Sequence, residues 1–313
     1  MKFAEKSWYQ RSPVIAQSAI VSLYGVAGRI LRNGAQFRQI LGELEESEWY
    51  SADQFQAMQD EKLRRLIAHC YEYVPFYRGV MRERGLTPRD IETVDDLPKL
   101  PYVTREDLRT RTEEFLSTAP EQGRLYPSTS SGTTGTPLKL LRDQYSVSFE
   151  QASLWRHWRI AGVPLWGRRA TLRGHPVVPQ RQTVPPYWRV NRAENQLIMS
   201  GFHLSDERAR DFANAIRDFG AIGLEAIPSA VYFLARAMLE QDISLKLRCV
   251  VTGSEPVYPE HRPVIEEAFG CKVFDFYSQS ERVCFGMECE RHTGLHLAPE
   301  YGIVEYVEPE WEH

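Results

Sequence analysis

From residue 125 onward, short apolar runs alternate with stretches whose apolar residues recur every three or four positions, and this rhythm constrains the fold more than any other feature. Residues 247–251 (LRCVV) and 271–277 (CKVFDFY) have the length and composition of buried strands. Between them Pro259 suits the first turn of a helix running through Phe269, because its missing N–H would have no partner there anyway. Ser205 is positioned to cap a helix carrying Ala209, Phe212, Ala213, Ile216 and Phe219 on one side. Ser229 is positioned to cap the next, through Phe233, Leu234, Ala237 and Met238. Strand, helix, strand in this order predicts an α/β layer with parallel strands. Residues 302–307 (GIVEYV) alternate like one more strand.

The first 120 residues read as mainly helical. Phe55, Met58, Leu63, Leu66, Ile67, Cys70 and Val74 fall on one helical face, and Pro75 ends that helix. Residues 95–101 (DDLPKLP) form a proline-marked connector, and Thr104 with Asp107 has the spacing of a capping box. The expected division is a helical region, 1–120, followed by an α/β portion, 121–313. Residues 13–30 are apolar but lack the charged start and cleavage site of a signal peptide. Gln17, Ser18, Ser22, Gly25 and Gly28 make them a poor membrane span, so a helix or loop packed on the domain is expected there.

A chain of 313 residues with 42% hydrophobic content can bury one large core or two, which excludes disorder as the default. A net charge of −4 argues against nucleic acid as the main partner, and Arg168, Arg169 and Arg173 read as a solvated basic face. The five cysteines are odd in number and widely spread, which fits a reducing cytoplasm better than a disulfide framework.

The sharpest local feature is 128–139, STSSGTTGTPLK. Glycines remove the Cβ that would hold a polyphosphate away, backbone N–H groups and hydroxyls donate to its oxygens, and Lys139 adds positive charge. The P-loop pattern is absent, since no glycine precedes the lysine. Composition alone is equally compatible with a Ser/Thr/Gly linker.

This loop resembles the signature loop of the adenylate-forming superfamily, and most closely that of its phenylacetate–CoA ligase branch with the CapK-like proteins. The resemblance extends in order through 74–78 (VPFYR), 97–108 (LPKLPYVTREDL), 200–204 (SGFHL), 227–236 (IPSAVYFLAR), 252–256 (TGSEP), 274–289 (FDFYSQSERVCFGMEC) and 294–305 (GLHLAPEYGIVE). It implies the large N-terminal domain of such an enzyme, with a helical N-terminal region and layered α/β subdomains. It implies that Thr129, Ser130, Ser131, Gly132, Thr133, Thr134 and Gly135 hold the β- and γ-phosphates of ATP, with Lys139 closing the loop. Gly253, Ser254, Glu255 and Pro256 would lie along the adenine, Tyr277 would stack on it, Ser280 would sit near the α-phosphate and Glu281 would hold Mg²⁺. Independently, a tyrosine ending a strand offers a flat apolar face where α/β sheets bind ligands, and one carboxylate plus phosphate oxygens is an ordinary Mg²⁺ arrangement.

The implied activity is conversion of a carboxylic acid to its acyl-AMP, followed by transfer to a thiol, CoA in this family. His203, with Phe202 and residues 228–232, would border the acid pocket, whose aromatics suit an aryl or other bulky acid. The family commonly has Gly where this chain has Ser278, so a remodelled turn is expected. Cys284, Cys289, His292 and His296 supply zinc-type ligands at a non-standard spacing. Family members continue into a segment with a ribose-binding aspartate and a small C-terminal domain. No Thr-Gly-Asp follows Glu305 here, so the resemblance implies a C-terminally truncated member. Its alternative reading is a nucleotide-binding or scaffold homologue without complete chemistry, and apolar surface left by a shortened fold makes a homodimer a partner to test for.

Overall fold

The computed structural model describes residues 2–120, 123–129, 138–174 and 176–307. Two compact units are each assembled from separated stretches. Met1–Arg38, Gln151–Ser278 and Gly286–His296 make the first, and Gln39–Glu150, Gln279–Phe285 and Leu297–His313 the second. The helical N-terminal region is thus divided between them. Its first part is tied to the first unit by specific side chains. Tyr9 Oη donates to the Val177 carbonyl at 2.7 Å, and the buried Arg189 donates to Gln17 Oε1 at 2.6 Å. Val21 joins Val177, Val178 and Ile198 in one apolar cluster.

Among the described residues the ten strands are β1 (Tyr126–Thr129), β2 (Lys139–Arg142), β3 (Arg169–Arg173), β4 (Trp188–Asn191), β5 (Gln196–Ser200), β6 (Gly223–Ala226), β7 (Cys249–Gly253), β8 (Lys272–Ser278), β9 (Phe285–Glu288) and β10 (Leu295–Leu297). β3 to β10 form one sheet in the order β10-β9-β8-β7-β6-β3-β5-β4. The pairs β3–β5, β3–β6, β6–β7 and β7–β8 are parallel, as the strand-helix rhythm predicts, and β4 closes an edge antiparallel to β5. Helices Ala209–Phe219, Pro228–Leu239 and His261–Phe269 bury Phe212, Ile216, Leu234, Met238, Ile265 and Phe269 in the main core. Each such side chain contributes about 1.5–3 kcal/mol relative to an exposed one.

Several local expectations shift. Ser229 is not a cap, because Pro228 occupies the first turn and Ile227 the N-cap position. The exposed backbone N–H of Ser229 is met instead by Glu255 Oε2 at 3.2 Å. Ser205 precedes a 3₁₀ turn, Asp206–Arg208, and the helix begins at Ala209. Pro259 lies in the turn ahead of its helix. The strand read at 247–251 begins two residues later, since the Leu247 N–H is taken by the Phe269 carbonyl at 3.0 Å. Residues 302–307 are irregular; their alternation provides two faces but no neighbouring strand, and β9 and β10 supply the pairing in this region instead.

In the second unit, Ser51 and Gln54 cap the helix Ala52–Tyr73 reciprocally, and a new helix, Pro75–Glu83, starts at Pro75. Leu63, Ile67, Met81 and Ile91 form its core. The Thr104–Asp107 capping box is present, with Asp107 Oδ2 accepting from the Thr104 N–H at 2.8 Å and Thr104 Oγ1 from the Asp107 N–H at 3.1 Å.

The apolar stretch near the N-terminus forms the helix Val14–Arg32, with Gln17, Val21 and Gly25 buried. By length and composition this helix is apolar enough to cross a membrane, at a mean hydropathy of 1.5, although its Gln17, Ser18, Ser22 and two glycines predict a poor span.

Candidate functional site

The residues singled out from the sequence lie in both units, and each half has its own geometry. In the second unit, β1 and β2 pair antiparallel with Thr129 opposite Lys139. The hairpin fixes the two ends of the glycine-rich loop, while Ser130, Ser131, Gly132, Thr133, Thr134 and Gly135 lie outside the described residues. Lys139 and Glu281, 142 positions apart in sequence (281 − 139), line a single cavity of about 560 Å³. Arg142 and Ser146 share its wall with the apolar Leu108, Phe115 and Leu138. Lys139 and Glu281 are both exposed, so a ligand entering the cavity meets one cation and one carboxylate without displacing packed side chains.

The segment carrying Ser280 and Glu281 is held from two sides. Arg142 Nη2 donates to the Ser280 carbonyl at 2.6 Å, and Arg282 Nη1 donates to the Ser146 carbonyl at 3.0 Å. Glu150 faces Arg282 and accepts the hydroxyl of Tyr301, whose own pKa is pushed far up by burial. Burial and the nearby Arg282 charge lower the Arg142 pKa, but a guanidinium stays charged at neutral pH. Sequence reasoning missed Arg142. The available signal was a cation three residues past Lys139; its partner at Ser280 is 138 residues away and left no local trace.

In the first unit, parallel β7 and β8 end side by side, with Gly253 in register with Phe276. Their carboxyl ends carry Gly253 to Pro256 and Tyr277, and Tyr277 is 47% exposed. Gly253 is required by packing, because a Cβ there would stand 2.7 Å from the buried Phe276 ring. Gly253→Ala is expected to destabilise the protein by about 1–3 kcal/mol in a denaturant titration, as overpacking does. Ser254 takes a left-handed conformation, φ 77°, which turns the chain sharply at the strand end. Ser278, expected to disturb the turn, instead closes β8 as an ordinary strand residue; the left-handed residue after it is Arg282, φ 58°. Asp275, also missed, accepts the Thr252 hydroxyl at 2.7 Å, and burial pushes its carboxyl up to about 6.

His203 is 3% exposed, its Nδ1 lies 2.8 Å from Ser200 Oγ, and its ring stacks on Tyr187 at 5.3 Å. Burial lowers its pKa from the ordinary histidine value, which favours the neutral ring. This is a packed imidazole, whereas the neighbouring Phe202 is 60% exposed. The zinc-type residues are not gathered into a site. His296 Nε2 approaches Cys289 Sγ at 3.2 Å, but His292 bonds Glu288 and edges onto Phe274. Cys284 and Cys289 flank β9, and at about 3.3 Å per residue a strand carries thiols five positions apart well beyond a shared metal. Among the described residues no group of three or more His, Cys, Asp or Glu side chains is arranged to hold a metal ion. All five cysteines are free.

No protein-family model matches the chain. It is 24% identical to protein CapK of Staphylococcus aureus over 279 residues, covering 88% of this chain and 60% of that protein. It is 28% identical to the phenylacetate–coenzyme A ligase of Thermus thermophilus, covering 85% and 60%, and 29% identical to that of Pseudomonas putida, covering 85% and 61%. The chain thus spans about 60% of the length of these curated relatives. Among solved structures, 2-hydroxyisobutyryl-CoA ligase in the postadenylation state, in complex with R3-HIB-AMP, superposes with a TM-score of 0.56 at 18% identity, over 77% of this chain and 54% of that one. That likeness concerns the fold, and the curated relatives concern the sequence; the chain is thus similar in sequence to CapK and the phenylacetate–coenzyme A ligases and in fold to a CoA ligase, in line with the resemblance to the adenylate-forming superfamily.

Proposed function

We propose that this chain binds ATP with Mg²⁺ and belongs to an enzyme that activates a carboxylic acid as its acyl-AMP and then passes the acyl group to CoA. The observation that carries this reading is the cavity shared by Lys139, Arg142 and Glu281. In the first step a carboxylate oxygen attacks the α-phosphorus of ATP and pyrophosphate leaves from the opposite side. Such a step needs alignment and charge neutralisation more than covalent help from the protein. Lys139 and Thr129 would hold the β- and γ-phosphates, with Ser130, Ser131, Gly132, Thr133, Thr134 and Gly135 between them. Ser280 would stand near the α-phosphate. Tyr277 would stack on the adenine, with Gly253, Ser254, Glu255 and Pro256 along its edge.

The donor set fits magnesium: Glu281 offers one exposed carboxylate, and the remaining ligands of a hard cation come from phosphate oxygens and water. Mg²⁺ bound there would neutralise charge on the departing pyrophosphate. Arg142 acts as a positioning residue, holding the backbone that carries Ser280 and Glu281. The acid would enter near Phe202, and an aryl acid suits an exposed aromatic wall. His203 is a packing residue in this scheme.

Lys139→Ala is expected to weaken MgATP binding about tenfold or more, the loss of one charge-assisted contact, while leaving AMP binding unchanged. Calorimetric titration of both nucleotides checks this. An equal loss for AMP would remove Lys139 from the β- and γ-phosphates.

A further inference from the structure

Among the described residues, the helix Val14–Arg32 leaves one face without a partner. At 100° per residue, the buried Gln17, Val21 and Gly25 point one way, and Ile15, Ala19, Leu23, Val26 and Ile30 form a stripe on the opposite side. Ile15 is 85% exposed, Leu23 70%, Val26 46% and Ile30 73%. Beside the stripe runs an apolar groove completed by Val190 and Ala193, with the exposed Arg192 at its rim. Trp8, just ahead of the helix, is 54% exposed.

Charge is distributed as unevenly as apolarity. Between Glu5 and Glu43 the only charged residues are Lys6, Arg11, Arg29, Arg32 and Arg38, in a chain whose net charge is −4. Lys6, Arg11 and Arg38 are exposed.

We propose that this face docks on a membrane surface containing anionic lipid, with the helix lying in the plane of the interface. An apolar stripe with Arg192 at its rim, and with exposed cations and an indole on either side of it in sequence, matches the acyl–headgroup boundary, where apolar side chains enter and basic ones meet anionic headgroups. The helix does not cross the bilayer. Ser22 Oγ donates to the Val190 carbonyl at 3.1 Å, Arg29 Nη1 to the Ala193 carbonyl at 2.8 Å, and Arg189 to Gln17, so its inner face stays on the protein. A second copy is a poor occupant, because two such faces would bring like cations together. The proposal does not rest on the nucleotide reading.

The test is flotation of the 313-residue chain with vesicles of phosphatidylcholine plus phosphatidylglycerol, against vesicles of phosphatidylcholine alone. The chain is expected to float with the anionic vesicles at least tenfold more strongly, and to be released as salt rises. Leu23→Asp with Val26→Asp, both exposed and so neutral for folding by circular dichroism, should lower the partition at least tenfold. Lys6→Gln with Arg11→Gln should lower it on anionic vesicles only. Absence of binding, equal binding to both lipids, or binding indifferent to the Asp substitutions would overturn the proposal. So would a dimer in light scattering that Leu23→Asp dissociates, which would assign the face to a second copy.

Discussion

Replacing Glu194 with alanine is expected to destabilise the protein by about 3 kcal/mol, toward the lower end of what breaking a buried ion pair costs. Glu194 is 6% exposed and serves two cations. Arg169 Nη2 reaches Glu194 Oε2 at 3.1 Å and its Nη1 the Glu194 carbonyl at 3.0 Å, while Arg32 pairs with Glu194 Oε1. Arg169 is itself only 5% exposed and stacks over the Trp155 ring at 4.9 Å, so loss of the carboxylate leaves its charge, in a packed setting, with only Glu225 as counter-charge. Burial already lowers the Arg169 pKa despite the pairing with Glu225 and Glu194. The lower end of the range applies because Arg169 and Glu194 border a cavity of about 340 Å³ that gives water access to the stranded guanidinium. Glu194→Gln, which keeps one acceptor, is expected to lose less. Urea unfolding of the two variants measures both, and a ΔΔG near zero for Glu194→Ala would show that the pair is solvated rather than structural. The loss would be a large share of a typical stability of about 5–15 kcal/mol.

The second large effect concerns Glu281. If the proposed reading holds, Glu281→Ala is expected to lower the rate of acyl-adenylate formation by at least about 100-fold in the enzyme, since a single carboxylate would be the protein's share of the Mg²⁺ coordination. Pyrophosphate release measures the rate, and Mg²⁺-dependent ATP binding by the chain itself gives a second readout. Because Glu281 is exposed, stability should be little changed. A rate within threefold of the parent at saturating Mg²⁺ would assign the metal to another residue. Arg282, next to it, behaves differently: its guanidinium ties the segment to Ser146 and Glu150, so its removal would loosen the loop as well as the chemistry.

What could be read from the sequence was what is local or periodic. The Thr104–Asp107 box spans four residues and is satisfied by its own side chains, so its spacing is enough to reveal it. β7 and β8 were legible because continuous apolar runs of strand length have few other uses in an α/β chain. Long-range partners were not. Ser229 looked like a cap until Pro228 took the first turn and a carboxylate 26 positions further on met its N–H. The alternation at 302–307 looked like a strand, but a strand also needs a neighbour, which alternation cannot specify. The cysteines and histidines between 284 and 296 matched a ligand set by type, and the extended path of β9 separates them. At the candidate site, Lys139 and Glu281 were readable through resemblance, whereas Arg142 owes its role to the carbonyl of Ser280 and Asp275 owes its raised pKa to burial beside Thr252.

The central claim is that this chain holds the polyphosphate of ATP through Lys139 and a magnesium ion on Glu281. Calorimetric titration of ATP into the chain, with Mg²⁺ and then with EDTA, tests it most directly. The account predicts binding that weakens at least tenfold when Mg²⁺ is removed, and a Glu281→Ala variant that binds equally weakly in both conditions. ATP binding that is indifferent to Mg²⁺ and to Glu281→Ala, or no binding by a chain that is folded by circular dichroism, would contradict it.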